Sequence, residues 1–254
     1  MPEYGYASDF LTHFAGRELR DDKAYEVLCK IISDNRLLPR GSQRDSEGNV
    51  KSNPAKPFSS NDLLSPEIVC FCDIPLHREM LEIHTRKYSR FGIAFGKDWL
   101  AGQGASPVLY LAKGSGCTDH RFLPGHRLRW TNRKDFFDLA AGDWLNEHGK
   151  HGPNALNWPR GENMVFWYLL CYCKFFDETL PLEHEENYYM EREWRTIGQV
   201  SFNDADVQRV ILPNEEYKGK FIEWCNQEGH AALVDKIQII DTGPRKDSSR
   251  TTGD

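Results

Sequence analysis

This sequence of 254 residues lacks several features of membrane, secreted and polyanion-binding proteins. No stretch approaches the roughly 20 consecutive apolar residues that a membrane span needs. The start, MPEYGYASDF, has neither the basic segment nor the apolar core of a secretory signal peptide. The net charge is -6, so the chain lacks the basic excess of a general nucleic-acid binder. We therefore expect a cytoplasmic protein with no membrane partner.

The common cofactor and metal motifs are missing as well. The chain has no GxGxxG after a strand, no Walker motif, no HExxH and no deaminase signature. A dinucleotide bound in Rossmann fashion is therefore not indicated. The 7 cysteines include two CxC pairs, Cys70 with Cys72 and Cys171 with Cys173, and no paired CxxC motifs of a zinc site. We predict reduced, buried structural thiols and no metal.

The apolar pattern predicts an α+β fold. Hydrophobic residues make up 39% of the chain and aromatic residues 12%, which is enough for a core. Helices and strands are predicted in an order that does not alternate strictly. The predicted helices are 21–34, 76–88, 133–147, 164–176 and 215–227, and the predicted strands are 68–72, 91–95, 108–111, 188–200, 207–212 and 237–240. We predict one domain over residues 1–242 and a disordered polar tail over 243–254.

The segment YYMEREWRTIG contains the most informative group of charges. In a strand, Glu191, Glu193 and Arg195 would share one face. Two neighbouring carboxylates repel each other unless a positive or hydrogen-bonding partner lies between them. Ribose hydroxyls beside a developing oxocarbenium ion are one such partner, with one carboxylate stabilising the cation and the other orienting an acceptor. The alternative is a solvated edge strand on which Arg192 and Arg195 pair with the glutamates.

Two further residues are candidate ligand contacts. His13 lies between apolar neighbours, where a neutral ring nitrogen could meet a ribose hydroxyl. Tyr88 precedes a predicted strand and could stack on a nicotinamide ring. Considered alone, His13 is better explained as a partly buried core histidine, and packing explains Tyr88 at least as well as stacking on a ligand.

Residues 120–134 form the most basic stretch of this acidic chain. Basic side chains follow phosphates and aromatic rings stack on bases, so the segment could bind single-stranded nucleic acid. The candidate contacts are Arg121, Arg127, Arg129 and Trp130. The alternative is a solvated basic loop.

Four short segments, taken in order, resemble the AbiGi-type abortive-infection family. They span the chain from Phe10 to Pro213. The segments are LTHF with the following AYEVLCKII, then VCFCDIPL, then YSRFGIAFGKDWL with PVLY, and finally YMEREWR. The resemblance implies a role in phage resistance, and it also implies that the chain could be the antitoxin of a toxin–antitoxin pair.

The same order of elements is similar to that of ADP-ribosyltransferases, including the DarT-like toxins that modify nucleic acid. This resemblance implies a mixed, mainly antiparallel sheet flanked by helices, with NAD as the substrate. By the same resemblance, His13 and Phe14 would bind NAD, Tyr88 would flank the nicotinamide, Glu193 would be catalytic and Glu191 would orient the acceptor.

Two departures from the transferase pattern stand out. A small hydroxyl residue often follows the histidine–aromatic pair in such enzymes, whereas this chain has Ala15. Residues 117–160 have no counterpart in the pattern. Both departures weaken the assignment of an activity and of an acceptor more than the assignment of the family.

The sequence leaves three hypotheses. The main one is a toxin-like, NAD-dependent ADP-ribosyltransferase in phage defence, with RNA or DNA as the favoured acceptor. It predicts that Glu193→Gln abolishes transfer and leaves the melting temperature nearly unchanged. The alternative is a non-catalytic antitoxin or regulator that binds a cognate toxin, because an acidic chain suits a basic partner. A third hypothesis is a nucleic-acid-binding module or nuclease acting through the basic segment.

Overall fold

A computed structural model describes residues 8–39, 68–74, 85, 88–112, 171–176, 179–181 and 189–240. The predicted polar tail and the basic segment lie outside these residues. Among the described residues, no helix combines the length and the apolar character that crossing a membrane requires.

The described elements are short strands with three α-helices and two 3-10 helices. In chain order they are β1 (Phe10–Phe14), α1 (Asp21–Ser33), β2 (Arg36–Leu37), β3 (Ile68–Cys72), β4 (Gly92–Gly96), α2 (Lys97–Gly102), β5 (Ser106–Pro107), β6 (Leu109–Ala112), β7 (Cys173–Phe176), a 3-10 turn (Tyr189–Glu191), β8 (Glu193–Ile197), β9 (Val200–Ser201), β10 (Val207–Leu212), α3 (Glu215–Glu228), a second 3-10 helix (Ala231–Lys236) and β11 (Ile237–Ile239).

Backbone contacts divide the chain into two compact units. The first unit contains Met1–Asn35, Asp73–Trp99 and Phe202–Asp254, and the second contains Arg36–Cys72 and Leu100–Ser201. The prediction that residues 1–242 fold as one domain stays a prediction.

The first unit is built on a mixed, mainly antiparallel sheet. Its strand order is β11-β10-β4-β1, in which only the β10–β11 pair is parallel. Helices α1 and α3 meet through Tyr25 and Tyr217, whose ring centroids are 5.4 Å apart. The Tyr217 hydroxyl also donates a hydrogen bond of 2.8 Å to Asp22 of α1. The predicted α+β class is therefore confirmed.

Side-chain periodicity explains these elements. Leu28 and Ile32 recur four residues apart on the buried face of α1, as the predicted helix over 21–34 requires. Asn214 caps α3 by accepting a hydrogen bond of 3.1 Å from the backbone N–H of Tyr217. Gly229 ends the same helix in the left-handed conformation.

The second unit contains three sets of paired strands. Strand β8 pairs antiparallel with both β3 and β5, β2 pairs antiparallel with β9, and β6 pairs in parallel with β7. The prediction of a helix through residue 176 is wrong at its end, because Cys173–Phe176 forms β7. A run that is apolar on all sides fits a buried helix and a buried strand alike, so its period could not separate the two.

The predicted strand over residues 188–200 is also interrupted. Tyr189–Glu191 forms a 3-10 turn, and β8 begins only at Glu193. Between them, Arg192 has a φ of 43°. Residues other than glycine and asparagine rarely adopt this left-handed conformation, and it costs roughly 1–2 kcal/mol.

Candidate functional site

The two predicted carboxylates meet at one buried lysine. The Nζ atom of Lys174 lies 2.6 Å from Oε2 of Glu191 and 2.7 Å from Oε2 of Glu193. Glu191 is not part of the strand but ends the 3-10 turn, and Arg192 connects it to Glu193 at the start of β8. The closeness of Glu191 and Glu193 was predicted, whereas the prediction of an uninterrupted strand containing both residues is wrong.

Arg195 completes the group from the other side. Its Nε donates a hydrogen bond of 2.8 Å to Oε1 of Glu193, and its Nη1 donates one of 2.5 Å to the carbonyl oxygen of Cys171. Lys174, Glu191, Glu193 and Arg195, here called the charge quartet, are each 3% exposed. Two positive and two negative groups make the quartet neutral, which is the condition under which charges are tolerated inside a protein.

The surrounding strands hold the quartet in place. Strand β6 places Tyr110 opposite Lys174 of β7, and the Tyr110 hydroxyl accepts a hydrogen bond of 2.7 Å from the backbone N–H of Glu193. Strand β3 places Cys70 opposite Arg195 and Cys72 opposite Glu193. The first residue of β8 is therefore held through both its backbone and its side chain.

The electrostatics keep Glu193 and Lys174 charged despite their burial. Burial alone raises the pKa of the Glu193 carboxyl, but the charges of Arg195 and Lys174 outweigh it and hold that pKa well below its ordinary value. Burial alone lowers the pKa of the Lys174 ammonium, but Glu191 and Glu193 outweigh it and raise that pKa. The arrangement is a set of buried ion pairs in which charges of opposite sign stabilise each other.

A family model described as "Putative abortive phage resistance protein AbiGi, antitoxin" matches residues 61–228, which is more than half of the chain. The chain belongs to the AbiGi family. No curated protein and no solved structure was found to match it. The predicted resemblance to AbiGi is confirmed, and the finer resemblance to DarT-like enzymes stays a prediction.

The AbiGi match covers only part of the predicted site. It includes the quartet and Tyr88, together with the basic segment that contains Arg121, Arg127, Arg129 and Trp130. That segment lies outside the described residues. His13 and Phe14 precede the matched region.

The predicted NAD contacts lie in the first unit of this AbiGi-family chain, whereas the quartet lies in the second. Phe14 and Tyr88 stack with their ring centroids 6.3 Å apart and their planes at 12°. The guanidinium carbon of Arg17 lies 5.1 Å from the centre of the Tyr88 ring. The structure therefore brings Phe14 and Tyr88 together. His13 follows the alternation of β1 and points to the strand face opposite that of Phe14.

Burial favours the protonated form of the thiols beside the quartet. Burial raises the pKa of both Cys70 and Cys72 well above the ordinary value, and it raises that of Cys171 to about 11. Neutral thiols are weak nucleophiles and weak metal ligands. Among the described residues, no group of three or more histidine, cysteine, aspartate or glutamate side chains could hold a metal ion.

Two residues of the site, Lys174 and Tyr110, were not predicted from the sequence. Lys174 is the only charged residue between Met164 and Phe176. A single charge in such an apolar run is almost never buried without a partner, so this lysine was a signal of a buried ion pair. The partnership of Tyr110 left no comparable signal, because it depends on the register of β6 against β7.

Proposed function

We propose that this chain is a non-catalytic antitoxin or regulator that binds and neutralises a cognate toxin. The observation that carries the proposal is the burial and mutual pairing of the charge quartet. A transferase needs to present a carboxylate to its substrate, whereas both Glu191 and Glu193 are buried and paired with Lys174. A structural role accounts for both carboxylates, and the family's own description as an antitoxin supports the same conclusion.

Co-expression tests this proposal directly. The probe is the polypeptide encoded by the gene next to that of this chain, placed under a separate inducible promoter. We expect that polypeptide alone to stop growth, this chain alone to be harmless, and the two together to restore growth in proportion to the amount of this chain. Growth arrest by this chain alone, with protection by its neighbour, would reverse the assignment.

A second candidate function is the NAD-dependent ADP-ribosyltransferase, with NAD as substrate, no metal, and RNA or DNA as acceptor. The observation that favours it is the half-buried stack of Phe14 on Tyr88 with Arg17 above the ring. Aromatic faces of this kind take up flat heteroaromatic rings, and a guanidinium group pairs with phosphate. In this candidate, Glu193 would be catalytic and Glu191 would orient the acceptor.

Labelled NAD separates the two candidates. The transferase predicts label on a macromolecule when the purified chain is mixed with NAD and cell lysate, and nuclease treatment shows whether the acceptor is nucleic acid. It also predicts that Tyr88→Ala lowers labelling, whereas Leu19→Ala, an exposed site of the same unit, leaves it unchanged. The antitoxin proposal predicts neither labelling nor loss of NAD.

A further inference from the structure

We propose that Tyr189 is the residue by which this chain docks onto its toxin, an inference that rests on the proposed antitoxin function. Tyr189 is 48% exposed although it belongs to an aromatic cluster. Its ring centroid lies 4.8 Å from that of Phe176 and 5.4 Å from that of Tyr110. Tyrosines are over-represented among the residues that dominate binding energies at protein interfaces.

The charge quartet also constrains the aromatic cluster of Tyr189, Phe176 and Tyr110. Phe176 and Lys174 are two residues apart in β7 and therefore lie on one face of that strand. Glu191, the last residue of the turn that begins at Tyr189, is tied to this lysine. The same strand thus supports the Tyr189 ring through Phe176 and holds the Tyr189 turn through Lys174.

The backbone of the turn is constrained as well. Arg192, immediately after the turn, has a positive φ of 43°, and its N–H donates a hydrogen bond of 3.4 Å to the carbonyl oxygen of Tyr189. A residue stays in such a conformation only when its surroundings over-determine it, and such residues concentrate at functional sites. An exposed ring on a pre-formed turn loses little conformational freedom on binding, which favours affinity.

The charge of the chain specifies the kind of partner. The chain carries a net charge of -6, and Glu183, Glu185 and Glu186 precede Tyr189 within six residues of the sequence. A polyanion would be repelled by this charge, whereas a basic protein surface would be attracted. The partner is therefore a basic protein with an apolar pocket for the Tyr189 ring. The buried quartet is neutral, so it supports the turn without altering this balance.

Binding measurements on the full chain test the inference, with the polypeptide encoded by the adjacent gene as the probe. Tyr189→Ala is expected to weaken binding about 30-fold, the effect of losing a dominant interface side chain. Tyr189→Phe should bind within about threefold of the wild type, because it keeps the ring. Tyr189→Lys should bind more weakly than Tyr189→Ala, because it places a positive charge against a basic surface. Ile197→Ala, an exposed apolar site of the same unit, should bind like the wild type.

The possible binding results distinguish the role of Tyr189 from the antitoxin function and from the choice of a protein partner. A wild-type chain that binds its neighbour, with Tyr189→Ala and Tyr189→Lys binding equally well, would overturn the role of Tyr189 and leave the antitoxin function standing. A wild-type chain that neither binds nor protects would overturn both. Tyr189-dependent binding of a single-stranded oligonucleotide, with no binding of the neighbouring polypeptide, would overturn the choice of a protein partner.

Discussion

The Glu193→Gln protein is expected to lose about 3–5 kcal/mol of its free energy of unfolding. The substitution preserves the shape of the side chain but leaves Glu191 as the only carboxylate of the quartet. Lys174 and Arg195 would then be buried with one carboxylate fewer to compensate their positive charges. Chemical unfolding followed by circular dichroism measures the loss.

Glu216→Gln is the matched control. Glu216 also pairs with a lysine, at 2.7 Å from the Nζ atom of Lys220, but its side chain is 65% exposed. Exposed pairs contribute little, so the control should change stability by less than about 1 kcal/mol. A double variant, Lys174→Met with Glu193→Gln, removes one charge of each sign and should lose less than the sum of the two single variants. A Glu193→Gln protein as stable as the wild type would contradict the structural role of the quartet.

This expectation replaces the one drawn from the sequence alone, in which Glu193→Gln left the melting temperature nearly unchanged. A residue buried in an ion-pair network cannot be neutralised without disturbing its partners. Loss of labelling in a Glu193→Gln protein would therefore not identify a catalytic carboxylate. Tyr88 lies outside the quartet, so Tyr88→Ala is the sharper test of an NAD site.

Local patterns predicted the elements whose periodicity is set within the element itself. The helix over residues 21–34 follows from apolar side chains at spacings of three and four, and it agrees with α1 to within one residue. The predicted strand over 207–212 and the predicted helix over 215–227 also agree with β10 and α3. In these segments, the pattern of apolar residues close together in the sequence indicates both the type of element and its buried face.

The site depended on contacts that neighbouring residues do not encode. The spacing of Glu191 and Glu193 indicated that the two carboxylates would be close and would need a positive partner. That partner is Lys174, 17 and 19 residues away in the sequence. Only the parallel pairing of β6 with β7 shows where Lys174 points, and parallel pairs join distant segments through connections that local patterns do not reveal.

The break at Arg192 has a related cause. Its sequence context, a strand-like alternation, gave no sign of a left-handed residue, and arginine is an unfavourable choice for one. The conformation is imposed by tertiary contacts on either side, at Glu191 through Lys174 and at Glu193 through Tyr110. Intrinsic preference predicts a conformation only where such contacts do not override it.

Gly16→Ala is the second substitution with a large expected effect, in this case on the first unit. Gly16 has a φ of 73°, and a Cβ atom there would lie 2.5 Å from the Cα of Ala24 and 2.6 Å from its Cβ. Ala24 belongs to the buried face of α1, so the helix backbone would have to move. Left-handed strain of roughly 1–2 kcal/mol and overpacking of roughly 1–3 kcal/mol together predict a loss of about 2–5 kcal/mol.

Gly229→Ala separates these two causes. Gly229 has a similar φ of 87°, but a Cβ atom there would have nothing within 4 Å. The control should therefore lose only the roughly 1–2 kcal/mol of backbone strain. Unfolding curves of both variants measure the difference, which reports the closeness of Gly16 to α1. Equal losses in the two variants would show that α1 can shift freely, and the first unit would then be packed less tightly against this helix than the buried Ala24, Leu28 and Ile32 indicate.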